Sequence, residues 1–276
     1  MNRGARLLTV LAAAAALLST TGCRQLEARG ALNEGVQAYK SGNYEKAIER
    51  FKTAVDRDDK LKVAKLYLAT AYTSQYVPGV ETPENLQMAQ QAIEQYKAVL
   101  ADEPQNVTSL KGIAYLYMQM KKFDDARDFY KRSIGADPND PETYYSVGVL
   151  DWTAVYKDSA DRKSKEGLKV DDEMKGKRDQ KLCEDIRAAN SARLDEGLDM
   201  LQKAMEKRQD YDDAMVYVNL LYLRKADMAC NDPEGRAMAR KMSEDWSNKA
   251  MDARKRKQEA AAKKGGNGII LDQPSK

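Results

Sequence analysis

The sequence predicts an all-α protein, a stack of about five helix hairpins forming an α-solenoid. Two independent series of residues predict it. Ala92-Ile93, Tyr96, Leu100 and Pro104 recur at Ala126, Tyr130, Ile134 and Pro138, each 34 residues on. Ala47-Ile48, Phe51 and Val55 keep that internal spacing 45 residues before Ala92, and Gly197-Leu198, Leu201 and Met205 keep it 71 residues after Ala126. A second series of small residues, Gly35, Ala69, Ala114, Gly148 and the imperfect Asn219, is separated by 34, 45, 34 and 71. The two series agree if every unit is a helix pair and two units are lengthened between their helices. The insertion in unit 2 falls near Gln75 to Pro83, and the larger one in unit 4 between Thr153 and Asn190.

The first 22 residues read as an export signal. Arg3 and Arg6 precede Leu7 to Leu18, which is apolar except for Thr9. That run is shorter than the roughly 20 residues of a membrane-spanning helix. The segment closes Leu17-Leu18-Ser19-Thr20-Thr21-Gly22-Cys23, which resembles a bacterial lipobox. The resemblance implies cleavage after Gly22, diacylglycerol on the Cys23 sulfur and a third acyl chain on its amine. Two acyl chains suffice for stable anchoring. Ordinary signal cleavage and a retained anchor are the alternatives. Residues 23–27 are then a linker from lipid to fold. Arg24 stands where, by resemblance to such lipoproteins, an aspartate retains the protein in the inner membrane, so the expected location is the outer membrane, facing the periplasm.

The units run over about 28–61, 62–106, 107–140, 141–211 and 212–251, with a long C-terminal helix to 262 and a flexible tail over 263–276. These residues resemble the tetratricopeptide repeat (TPR), which implies antiparallel helix pairs wound into a right-handed superhelix. The small residues let the helices of a hairpin approach closely, and the large residue four positions after the second of them fills the remaining gap. Proline after the second helix stops it. Asp59 and Gln209 stand where that proline is expected, and Lys121 replaces the turn glycine seen at Gly42. The unit-4 insertion is charged. It predicts an overlong helix starting near Lys177 and a mobile loop over Lys163 to Lys175. Pro233 opens a last helix with Met238, Met242, Trp246 and Ala250 on one face. It turns basic at Arg254-Lys255-Arg256-Lys257, and Ile269-Ile270-Leu271 lies in the tail.

Composition excludes most familiar catalysis. There is no histidine, so Ser-His-Asp and Cys-His nucleophiles and histidine-ligated metals are absent. The one dense glycine run, Gly265-Gly266-Asn267-Gly268, follows no strand and cradles no phosphate. Asp56-Arg57-Asp58-Asp59 and Asp171-Asp172-Glu173 lack the alternate-residue spacing of calcium loops and read as solvated charge. No cofactor and no metal are expected. With 46 Lys+Arg against 43 Asp+Glu, no polyanionic partner is indicated, and the basic stretch Arg254 to Lys264 reads as a solvated helix end rather than a nucleic-acid site. Export leaves Cys183 and Cys230 in an oxidising space, where an even pair points to a disulfide; two separate buried thiols are the alternative.

The TPR resemblance also implies a ligand groove lined by the first helices. The positions chosen are Tyr39, Leu66, Lys111, Tyr115, Met118, Tyr145, Val149 and Trp152. Lys111 alone fits the carboxylate clamp of the family, so the groove is read as apolar and aromatic, suited to a protein or peptide partner. Filling by the chain's own insertion, last helix or tail is the alternative. The expected function is a non-catalytic scaffold lipoprotein of the bacterial envelope. A chaperone-like holder of exported clients and an enzyme built on Lys111, Tyr115 and Tyr145 are the rivals.

Overall fold

The computed structural model describes residues 3–174 and 176–265, with side chains from Gly22 onward except 176–178 and 264–265. Regular structure among these residues is α-helical throughout. The helices are α1 (Arg3–Lys40), α2 (Tyr44–Arg57), α3 (Lys62–Gln75), α4 (Pro83–Asp102), α5 (Val107–Gln119), α6 (Phe123–Ala136), α7 (Pro141–Lys165), α8 (Gly176–Lys207), α9 (Asp212–Asp227) and α10 (Pro233–Gly265). Each odd-numbered helix packs on the even one that follows it. The chain divides into two units, Met1–Ala136 and Asp137–Lys276.

Local chemistry sets the helix ends. The side chains of Asn43, Thr82, Asn106 and Asp140 cap α2, α4, α5 and α7 by accepting from backbone amides of the first turn. Pro83 and Pro141 occupy first-turn positions whose amides have no helical partner. Gly42 takes φ 77 in the α1–α2 turn, and Lys121 takes φ 59 at the equivalent place before α6. The bonds match: Gly42 N and Asn43 N donate to Tyr39 O and Ala38 O, Lys121 N and Lys122 N to Met118 O and Tyr117 O. The left-handed turn therefore persists without its glycine, at a cost of about 1–2 kcal/mol.

In the first unit the small residues do the steric work expected of them. Ala47, Ala92 and Ala126 are fully buried. A Cβ on Gly35 would stand 2.5 Å from the Phe51 ring; Gly112, which the repeat series did not include, does the same work beside Tyr96, where a Cβ would stand 2.5 Å from the ring. Phe51 also stacks on Tyr67 of the following hairpin at 5.4 Å. The unit-2 insertion becomes a longer α4 and a turn at 76–82. Buried Asn85 fixes that turn by accepting from Val77 N and donating to Val77 O and Val80 O.

In the second unit the insertion lengthens both helices of one hairpin, to 25 residues in α7 and 32 in α8. Gly148 lets Leu201 approach to 2.5 Å of its would-be Cβ, and Gly197 faces Leu221 and Asp151. The loop after α7, expected to be mobile from Lys163 on, is instead pinned. Lys163 is 1% exposed and its Nζ donates to Val170 O (2.7 Å) and Asp172 O (2.9 Å). Arg224 of α9 binds Asp171 Oδ1 at 2.7 Å, and Arg236 of α10 binds Glu173 Oε1 at 2.6 Å. Polar side chains from the next hairpin hold a segment whose own apolar content is too low to hold it. A disulfide joins Cys183, inside α8, to Cys230 in the α9–α10 turn, with Cα atoms 5.5 Å apart.

Three further expectations are corrected. Residues 23–27 are part of α1, not a linker: Arg24-Gln25-Leu26-Glu27 favours helix, and Arg24 and Glu27 bind Asp56 O and Arg57 at the end of α2. Residues 263–265 continue α10, because the run through Ala260-Ala261-Ala262 favours helix; the rest of the expected tail, with Ile269-Ile270-Leu271, lies outside the described residues. The buried stripe of α10 is Ala239, Ser243, Ala250 and Ala253, while Met238 is 69% exposed. Small side chains that permit close approach to α9 displace the larger ones from the contact. Among the described residues no helix is long and apolar enough to cross a membrane.

Candidate functional site

The expected groove residues of the first unit lie on the first helices of its hairpins. Tyr39 and Leu66 are half-buried against the core, and Tyr39 Oη is 2.8 Å from Ser74 Oγ on α3. Lys111, Tyr115 and Met118 follow at i, i+4 and i+7 along α5, a single helical face. Lys111 and Met118 are half-buried and Tyr115 is exposed.

The second unit gathers its residues more tightly. Tyr145, Val149 and Trp152 sit on one face of α7, and Tyr156 extends the row. Tyr217 of α9 stands edge-on to Tyr145 (5.7 Å) and to Trp152 (5.3 Å). Tyr211, at the start of α9, lies 5.1 Å from Tyr145, and Trp152 stacks on Tyr156 at 5.3 Å. The result is a continuous aromatic face on α7 and α9: Tyr145, Trp152 and Tyr217 are half-buried, Tyr211 is buried and Tyr156 is exposed. Tyr156, Tyr211 and Tyr217 were not singled out from the sequence. The signal was present for Tyr156, which is one helical turn past Trp152.

An ion pair closes the mouth of this face. Glu142 accepts from Tyr211 Oη at 2.6 Å and from Arg208 Nη1 at 2.5 Å, and the Arg208 guanidinium lies 4.4 Å over the Tyr211 ring. Burial pulls the Glu142 carboxyl upward. The two hydrogen bonds and the Arg208 charge together outweigh it, and the group lies below the usual carboxylate range. Burial pushes the Tyr145, Tyr217 and Tyr211 phenols up, the last helped by its bond to Glu142. The phenols thus stay neutral over the physiological range and serve as hydrogen-bonding rims on an apolar surface. Because folding lowers the proton affinity of Glu142, its contribution to stability is complete above the ordinary glutamate value and disappears as the pH falls through the folded one. Acid titration of unfolding below about pH 4.3 is therefore expected to show a smaller loss in Glu142→Gln than in the parent; equal losses would assign the acid sensitivity elsewhere.

The basic stretch of α10 is partly neutralised. Arg254 binds Asp212 Oδ2 at 3.0 Å, Lys257 pairs with the same carboxylate, and Arg256 pairs with Asp210. A separate cavity of about 520 Å³ opens between α8, α9 and α10, lined in part by Leu194, Tyr222, Met228, Met238 and Met242. Among the residues described, no group of three or more His, Cys, Asp or Glu side chains converges as a metal site would.

Comparison with known proteins agrees with this architecture. Residues 87–147 match the tetratricopeptide repeat family model. No curated protein matches. Among solved structures, the chain is similar to a crystal structure of MamA, at 14% identity and a TM-score of 0.54, covering 82% of this chain and 96% of that one. MamA 41-end from Desulfovibrio magneticus RS-1 gives 14% identity and a TM-score of 0.55, covering 83% and 96%. YrrB, described as a TPR protein with an unusual peptide-binding site, gives 14% and 0.51, covering 82% and 90%. The fold is that of the TPR solenoids.

Proposed function

We propose that this chain is a non-catalytic TPR adaptor, lipid-anchored through Cys23 in the bacterial envelope, that holds an apolar segment of a partner protein against the aromatic face of α7 and α9. The observation that carries the proposal is that face itself: Tyr145, Tyr217, Trp152 and Tyr156 form a row of successive ring contacts, half-buried along Tyr145, Tyr217 and Trp152 and exposed at Tyr156. Rigid aromatic side chains with hydroxyl rims are the anchors that protein interfaces favour. The peptide-binding site ascribed to YrrB is consistent with such use of the fold. Two features support export. The apolar run ending at Cys23 has the form of a lipoprotein signal, and the Cys183–Cys230 bridge belongs to an oxidising compartment.

A photo-crosslinking residue placed at Trp152 in living cells is expected to capture one defined protein, whereas the same residue at exposed Glu206 on α8 captures none. Identical adducts at both positions, or none at either, overturn the adaptor. A broad ladder of unrelated adducts at Trp152 replaces it with a holder of unfolded clients. The anchor is tested separately: Cys23→Ser should move the protein from the membrane fraction to the soluble one, and continued sedimentation would exclude lipidation.

A further inference from the structure

The aromatic face of α7 and α9 is a row of rings with one of the chain's own arginines at each end. At the mouth the Arg208 guanidinium lies 4.4 Å over Tyr211, and Tyr211 leads on to Tyr145. At the far end the Arg224 guanidinium lies 5.9 Å from the centre of Tyr156, which stacks on Trp152. Tyr217 joins the two halves, edge-on to Tyr145 and to Trp152. A guanidinium over a ring is drawn to the negative face of its quadrupole. Both ends of the row satisfy that attraction from within the chain. The centre does not: among the described residues no lysine or arginine stands over Tyr145, Tyr217 or Trp152.

Carboxylates gather round the same centre. Burial is the first cause of the raised Tyr145 and Tyr217 phenols; the Asp213 charge adds to it at both rings, and those of Glu142 and Asp212 add at Tyr145. Glu142 is held closely by Arg208, and Asp212 by Arg254 and Lys257. Asp213 is held loosely. It lies one helical turn before Tyr217, its side chain is 60% exposed, and its ion pair is with Arg254 at 3.5 Å. It accepts no hydrogen bond among the described residues. An exposed pair of that length contributes little, so Asp213 yields readily to a better-placed cation.

We propose that the partner segment carries an arginine that lies over the open centre of the row, against Tyr145, Tyr217 and Trp152, with Asp213 as its counter-ion and apolar neighbours filling the rest of the face. The inference rests on the reading of this face as a ligand surface and adds the charge of the ligand. Arginine is favoured over lysine because its planar guanidinium stacks on rings, as Arg208 does at the mouth. A segment with a carboxylate at that place meets Asp213 and the negative ring faces, and is rejected.

Trp152 serves as reporter. The chain has two tryptophans, so Trp246→Phe leaves Trp152 as the sole indole. The probes are two synthetic tripeptides, N-acetyl-Leu-Arg-Leu-amide and the same peptide with citrulline, which keeps the length and planar head of arginine without its charge. Titration followed by Trp152 fluorescence should give an affinity about 3- to 30-fold higher for the arginine peptide, the range that cation–π contacts span. Tyr217→Phe keeps the ring and should keep that ratio. Tyr217→Leu and, separately, the exposed change Asp213→Asn should each lower it by about 2-fold or more, with circular dichroism unchanged. Equal affinities for the two peptides overturn the proposal, and so does failure of both to bind. An arginine preference undiminished in Tyr217→Leu and Asp213→Asn overturns it as well, by assigning the effect to surface charge at large. The adaptor reading fails independently: a crosslinked partner without an arginine preference leaves the adaptor standing, and an arginine preference without a crosslinked partner leaves the cation site.

Discussion

Reducing the Cys183–Cys230 bridge is expected to destabilise the second unit by about 4 kcal/mol. The bridge closes a separation of 47 residues, and the loop-closure entropy it removes from the unfolded chain has that size. Cys183 is 1% exposed within α8, so the tie is made at a fixed point of the fold and not on a loose surface turn. Cys230 sits at φ 31, a left-handed conformation disfavoured for a side-chain-bearing residue, and release of that strain returns a part of the loss. The measurement is thermal unfolding of the oxidised protein against C183S/C230S, which avoids new free thiols. Thermal midpoints should separate by about 8–16 °C for a unit of this size. Superimposed transitions would show that the bridge only joins what packing already holds.

Lys163→Met is expected to cost about 3–5 kcal/mol, the usual price of breaking a buried ionic arrangement by deleting one member. Methionine keeps much of the side-chain volume, so the effect isolates the ammonium group. Without it Val170 O and Asp172 O lose this donor, and Asp227 loses the ammonium 3.8 Å from its Oδ2 while keeping Arg224, whose Nη1 lies 3.1 Å from the same oxygen. Burial lowers the Lys163 pKa and raises that of Asp227: the charged form of each bears a desolvation cost, which the opposite charges around it partly offset. Limited proteolysis should then cut within 166–172 far faster than in the parent. The double variant with Asp227→Asn should recover part of the loss. If K163M unfolds with the parent and resists protease equally, the loop owes its place to something other than Lys163.

The hairpin architecture was legible because it rests on pairwise steric rules that the sequence states directly. Gly35 with Phe51 and Gly148 with Leu201 are small–large pairs, and each is realised at 2.5 Å from the would-be Cβ. The pinned loop was not legible. Lys163 stands in a run of charges that resembles a solvated face, and only the folded chain brings the carbonyls of Val170 and Asp172, from a loop whose register no repeat fixes, onto its ammonium group. The same holds for Arg224 and Arg236, which act across hairpins. On α10, periodicity weighted by side-chain size favoured Met238, Met242, Trp246 and Ala250; of these Ala250 is buried, but close helix packing selected Ala239 and Ser243, one position along from the two methionines, and added Ala253. The aromatic face was half legible: Tyr145 and Trp152 occupy repeat positions, whereas Tyr156 lies on the helical extension that breaks the repeat.

Stacked repeats commonly fray from an end, each unit melting against its neighbour alone. The last two hairpins here are fastened differently. A covalent tie and three cationic side chains cross between α7–α8, the loop that follows α7, and α9–α10. They should therefore open as a single cooperative block, so that amide hydrogen exchange in α7 and α10 converges on one common opening free energy instead of declining stepwise toward the terminus.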